Sequence, residues 1–308
     1  MITKRIWKLF VIISYLMMVA TPVFAGSGLP DVIDPEPVSG TREGLGPFDN
    51  AFYSPGPGFN VGDLEVTSYD KRDRVTIPYP LNASRFLAMC PIDAYLPNGE
   101  DDVSWSCTWE FDNTRQQATF TLSSNYDSGN NTQIGATAIL ISLDDFDLVD
   151  YAEFTITNNS NGVYALDYSP GDAIVIAVNI YETNTDDDFS FSIYPNDSTS
   201  AFDYKVNAWN GNDGSYIKGQ IAVFKPLGDA LIAIDAVNLY NNNSIENYFD
   251  LPSAGRTAYF ASIYSYVTND DDDFYALSAM DPYGYQLAET GHGNNGSNAA
   301  IEFVMLKR

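Results

Sequence analysis

The sequence predicts an all-β protein made of three tandem small antiparallel β-sandwich repeats. Three observations lead there. From about residue 61, short runs alternate apolar and polar residues and are rich in Val, Ile, Tyr, Phe and Thr. Clusters of Asn, Asp, Gly and Ser interrupt the runs, which is strand-and-turn chemistry, and no stretch of ten or more residues carries a helical period. Landmarks then recur three times, about 82–86 residues apart.

The elements follow in chain order. Residues 1–25 read as a secretory signal: Lys4, Arg5 and Lys8 precede an apolar stretch from Leu9 to Ala20, and "TPVFA" has the small-residue cleavage pattern. An uncleaved anchor is the alternative. The stretch is short for a membrane-spanning helix, which takes about 20 residues. Residues 26–60, with "DPEPVSG" and "SPGPG", form a Gly/Pro-rich arm. The repeats are expected at 61–143, 144–227 and 228–308. In the second and third, Tyr181 and Tyr264 precede the acidic runs "TDDDF" and "NDDDDF"; in the first, Tyr95 precedes "GEDDV". "GNN", "GND" and "GNN" at 129, 211 and 293 each lead into an apolar run: "GATAILISL", "GQIAVFK" and "AAIEFVMLK". Each repeat shows about six strands, drawn in the second copy over 151–157, 163–167, 173–181, 188–194, 202–209 and 217–225. Three such units stand in tandem as sandwiches or pack about a pseudo-threefold axis as a pseudo-trimer.

Charge narrows the partners. The chain carries 41 acidic and 15 basic residues, a formal charge of −26. Loss of the leader, with its three basic residues, takes this to −29. Such a surface repels nucleic acid and anionic lipid and favours divalent cations. Two cysteines, Cys90 and Cys107, in an exported chain read as a disulfide, with two free thiols as the alternative. With one histidine, His292, zinc is not expected. The expected location is extracellular or at the cell surface.

In the second repeat a proline-marked entry leads to an apolar strand, then an acidic turn. A second strand follows, then the Phe202–Trp209 strand and a final apolar strand. This order resembles the H-type lectin domain, over about 60 residues of that copy. The resemblance implies a six-stranded sandwich, trimer-like assembly and a carbohydrate-binding or adhesion role. The chain has "FSFSIY", without arginine, after the acidic turn, so the family's sugar-binding residues are not carried over position by position.

The candidate sites come from the residues themselves. Period two puts Asp203, Lys205, Asn207 and Trp209 on one face of a strand. An exposed tryptophan beside amide and carboxylate groups is a sugar platform; packing of Trp209 on another repeat is the alternative. Asp186, Asp187 and Asp188, with Asp271, Asp272 and Asp273, are candidate calcium ligands, because calcium takes six to eight oxygens. A solvated turn explains the same residues, and a catalytic acid pair is the third reading. Tyr95, Tyr181 and Tyr264 recur at equivalent places and read as structural. No nucleophile elbow accompanies His292, and an enzyme is not expected.

The sequence thus reads as a secreted glycan-binding or adhesion protein, with glycans or cell-surface glycoconjugates as partners and calcium as the candidate cofactor. Self-association is kept open, and no membrane span is expected in the mature chain. The rivals are a calcium-stabilised surface or matrix protein and a glycan-processing enzyme.

Overall fold

The computed structural model describes residues 56–308, apart from residue 68 and the connecting segments 98–102, 127–131, 158–159, 169–174, 185–188, 197–200, 209–215, 249–256, 269–273, 281–284 and 292–295. The expected signal, residues 1–25, and residues 26–55 of the expected arm lie outside the described residues.

The chain is all-β. The first segment forms β1 (Phe59–Thr67), β2 (Arg72–Pro78), β3 (Phe86–Met89), β4 (Ile92–Leu96), β5 (Val103–Asp112), β6 (Gln117–Tyr126) and β7 (Gln133–Ser142). The second forms β8 (Phe146–Thr157), β9 (Ser160–Ala165), β10 (Val175–Asn184), β11 (Phe189–Asn196), β12 (Ala201–Ala208) and β13 (Tyr216–Pro226). The third forms β14 (Leu231–Tyr240), β15 (Asn243–Tyr248), β16 (Thr257–Val267), β17 (Tyr275–Met280), β18 (Tyr285–Gly291) and β19 (Asn298–Lys307). The six strands expected in the second copy are all present, with ends displaced by a few residues. The apolar runs after the Gly-Asn turns become β7, β13 and β19. Each has strands on both sides, and β7 and β19 are buried almost end to end, so their sequences run apolar instead of alternating. At a partly solvated edge, β2 alternates: Asp73, Val75 and Ile77 point inward while Arg72 and Arg74 face water.

Three antiparallel sheets result, in the orders β1-β7-β4-β17-β18-β15, β8-β13-β10-β5-β6-β2 and β14-β19-β16-β11-β12-β9. β3 pairs with β7 and leads into β4, so the two act as one interrupted third strand. Each sheet then has the same plan: the first, sixth and third strands of one segment, followed by the fourth, fifth and second strands of another. No sheet belongs to one segment: each segment places three strands in one sheet and three in another. Repetition identifies the unit, but hydrogen bonding at a strand edge is indifferent to which segment supplies the next strand. Within the first segment β1 still packs across on β2 and β6, which keeps its two-layer character.

The hand-over from segment to segment is the same three times. Ala276 and Leu277 pair with Tyr95 and Ala94; Trp105 and Ser106 pair with Thr183 and Glu182; Phe191 and Ser192 pair with Tyr266 and Ser265. Just before each junction the third strand carries one extra residue: Asp93, Tyr181 or Tyr264. A buried isoleucine precedes every bulge: Ile92, Ile180 and Ile263. A bulge bends and twists its strand, which frees the far edge to accept the neighbouring segment's strand. The register also re-aligns the recurring tyrosines. Tyr95 corresponds to Thr183 and Tyr266, while Tyr181 and Tyr264 are bulge residues whose counterpart is Asp93.

The third strands β4, β10 and β16 approach one another, and the junction side chains fill the space between them. Tyr95 packs on Trp105 at 5.0 Å and edge-on to Tyr266 at 4.8 Å, joining the first segment to the third. Tyr266 also packs on Phe274 and Phe191, and its hydroxyl donates to the Phe274 carbonyl. Buried polar groups add direction to the contacts. Thr137 donates to Asp93 at 2.9 Å, and Ser278 of the third segment donates to the Asp93 carbonyl at 2.7 Å.

The expected disulfide is present, between Cys90 and Cys107, and both are buried. It ties the β3–β4 connection to β5, which lies in another sheet, so the bond crosses between sheets. Closing a loop of 17 residues stabilises by about 3 kcal/mol. At the other end of the strands, Arg308 pairs with Asp145 at 2.6 Å and with Asp229 at 2.7 Å. These residues belong to the two links between segments and to the end of the third. Asp229 is exposed, so that second pair contributes little.

Candidate functional site

An open groove of about 420 Å³ lies on the third segment, lined by Asn242, Asn243, Ser244, Tyr275, Glu289, Thr290 and Gly291. Strands β15, β18 and β17 run side by side here. Asn241, in a left-handed turn conformation (φ 53°), carries the chain from β14 into β15. Asn tolerates that conformation because its short side chain bonds locally. Here the Asn241 side chain accepts from the Gly296 N–H at 3.2 Å, and its carbonyl accepts from the Thr290 hydroxyl. The turn is thereby fixed to β18, and Asn242 and Asn243 are presented at the rim.

The floor is set by one pairing. Tyr275 is registered opposite Gly291. A Cβ on Gly291 would stand 2.2 Å from the tyrosine ring, so only glycine lets the ring fold over the neighbouring strand. The Tyr275 hydroxyl donates to Glu289 at 2.9 Å. Burial, then the hydrogen bond to Glu289 and its negative charge, push the Tyr275 hydroxyl up to about 12. It is therefore a proton donor at neutral pH. A half-buried ring with its hydroxyl, a carboxylate, two amides and the Ser244 hydroxyl line an open surface. That combination suits a ligand with an apolar face and many hydroxyls.

A second polar cluster lies across β8, β13 and β10. Asn179 donates to Gln220 at 2.7 Å, Gln220 to the Tyr151 hydroxyl at 2.7 Å, and Tyr151 to Glu153 at 2.6 Å. Nearby, Glu182 accepts from Lys218 at 2.7 Å and from the Tyr216 hydroxyl at 2.6 Å. Burial pushes the Glu182 carboxyl up, but the bonds from Lys218 and Tyr216 and the lysine charge outweigh it and hold the carboxyl lowered. Glu182 is thus poorly suited to donate a proton.

The residues singled out from the sequence fall as follows. Trp209, Asp186, Asp187, Asp188, Asp271, Asp272, Asp273 and His292 lie outside the described residues. Asp203, Lys205 and Asn207 lie in β12, registered opposite Tyr194, Ser192 and Ser190. Their side chains are outside the description. Aligned on the junctions, these three positions match Leu287, Glu289 and Gly291 of β18, and the last two line the groove. By the same register Thr290 corresponds to Val206. The topology also joins some of the named segments. Ala208, just before Trp209, pairs with Phe189, just after Asp188. Tyr275 follows one residue after Phe274, which itself follows Asp273. The tyrosine–glycine pair was missed from the sequence. A glycine ending a strand one repeat on from a polar, Trp-bearing strand was its only signal.

Among the described residues no group of three or more His, Cys, Asp or Glu is placed to hold a metal ion. No described helix is long and apolar enough to cross a membrane. No protein-family model matches the chain, and the search of curated proteins finds no significant relative.

Proposed function

We propose that this chain is an extracellular carbohydrate-binding or adhesion protein whose sugar site is the Tyr275–Glu289 groove. The observation that carries the reading is the pairing of a tyrosine ring over Gly291 with a carboxylate, amides and hydroxyls around it. Sugar rings stack their C–H faces on aromatic rings while neighbouring polar groups take the hydroxyls. The six-stranded segments support the likeness to H-type lectins, and the disulfide supports an oxidising location. Trp209 with Asp203, Lys205 and Asn207 forms a second proposed sugar surface, on the second segment. Calcium is the proposed cofactor of the segments holding Asp186–Asp188 and Asp271–Asp273. The latter lies directly upstream of Tyr275.

A glycan array on the chain from Gly26 onward, in calcium and after chelation, tests this. Binding that falls by at least about tenfold in Tyr275→Ala, with folding intact, supports the groove. Loss on chelation brings in the aspartate segments. No binding in either buffer returns the choice to a surface or matrix protein.

A further inference from the structure

Given the reading of the Tyr275–Glu289 groove as a sugar site, on which this rests, we infer that the groove selects glycans bearing a protonated amine, that is, de-acetylated amino sugars. The three strands that build it, β15, β17 and β18, carry two charged side chains, Glu246 and Glu289, and no basic residue. The two carboxylates share one face of the sheet. Exposed Ser244 stands directly opposite Glu289, and Glu246, two residues on, stands opposite Leu287. Glu289 accepts from the Tyr275 hydroxyl through Oε1 at 2.9 Å, and its other oxygen, Oε2, accepts from no described residue. The segments that the chain joins to the groove add charge of the same sign. Asp270 to Asp273 precede Phe274 and Tyr275, against the single His292 that follows Gly291.

This distribution discriminates among sugars. A uronic acid or a sulfated sugar brings a second negative charge up to Glu289, with no cation on the three strands to receive it. A neutral sugar can donate a hydroxyl to Oε2 but leaves the negative potential of the two carboxylates in place. An ammonium group supplies three donors and a full positive charge. One donor suits Oε2, and such charge-assisted bonds are about twice as strong as neutral ones. A second donor is within reach of the Ser244 hydroxyl, because directly opposite residues stand about 5 Å apart. The Tyr275 ring, folded over Gly291 and bonded to the same carboxylate, adds the attraction of an aromatic face for a cation.

Titration calorimetry on the full chain tests this. The probes are glucosamine and galactosamine oligomers, their N-acetylated counterparts and uronic acid oligomers. The conditions are about pH 6, where the amines are protonated, and about 0.15 M salt. The amine form is expected to bind at least about tenfold more tightly than its N-acetylated counterpart, and the uronic acid form not measurably. Glu289→Gln is expected to bring amine and N-acetylated forms within about threefold of each other, with the circular dichroism spectrum unchanged. If that variant misfolds, Ser244→Lys, which sets a cation opposite Glu289 from an exposed position, is expected to do the same. Equal affinity for amine and N-acetylated forms, both lost in Tyr275→Ala, overturns the inference and leaves the sugar site standing. Failure of every oligomer to bind overturns both. Amine binding that Glu289→Gln and Ser244→Lys leave intact is general attraction to an acidic surface, and it too overturns the inference.

Discussion

Tyrosine hydroxyls are where this molecule's residue-level chemistry shows most directly. Tyr264 is pushed up to about 12 by burial, the charge of Glu302 and the neighbouring Tyr194; Tyr275 reaches about 12 by burial and Glu289. Tyr216 also reaches about 12, through its hydrogen bond to Glu182 and then burial. A hydroxyl raised in the folded state contributes stability that is complete below its unfolded value of 10.0 and disappears as pH climbs towards 12. Unfolding is therefore expected between about pH 10 and 12, with a late burst of tyrosinate. Tyrosinate absorbance followed alongside circular dichroism checks this. If every tyrosine titrates near pH 10 while the strands persist, the hydrogen bonds to Glu289 and Glu182 are not holding those protons.

At the scale of elements, the bulge and the junction work as one device. Asp93, Tyr181 and Tyr264 each occupy the extra position, and the two residues after each bulge are the ones that pair with the next segment. The junction of β5 with β10 rests on Trp105, 2% exposed and packed on Tyr95. Trp105→Ala removes a buried ring that packs on Tyr95 of the facing sheet and leaves a cavity, at a cost of about 3–5 kcal/mol. Urea denaturation with tryptophan fluorescence measures the loss. A cost below about 1 kcal/mol would mean that the junction is held by main-chain pairing alone. The groove is also an element-scale product: glycine on β18 admits a ring from β17, and a turn from β14 into β15 supplies the rim.

For the whole molecule, sharing every sheet among segments predicts cooperative behaviour. The second segment alone would expose the edge of β10 that pairs with β5 and the edge of β11 that pairs with β16. A fragment of residues 144–227 is expected to lack a fixed tertiary structure, seen as collapsed dispersion in its amide spectrum. The full chain is expected to unfold in one transition. A fragment with native-like dispersion would show that each segment closes its own core and that the junctions are incidental.

The sequence by itself determined the all-β class, the six strands drawn between residues 151 and 225, and the cysteine pair. Each depends on local information: alternation of apolar residues, turn chemistry, and the presence of two cysteines. It also marked the strand position of Lys205 and Asn207, whose counterparts in β18, Glu289 and Gly291, line the groove. Tertiary structure alone decided which segment's strand lies beside which. Edge hydrogen bonds carry no label in sequence, and a one-residue bulge sets the register that follows. That is why Tyr95 aligns with Tyr266 and not with Tyr264. It also decided the groove, because a glycine acquires meaning only when a tyrosine from another strand is folded over it.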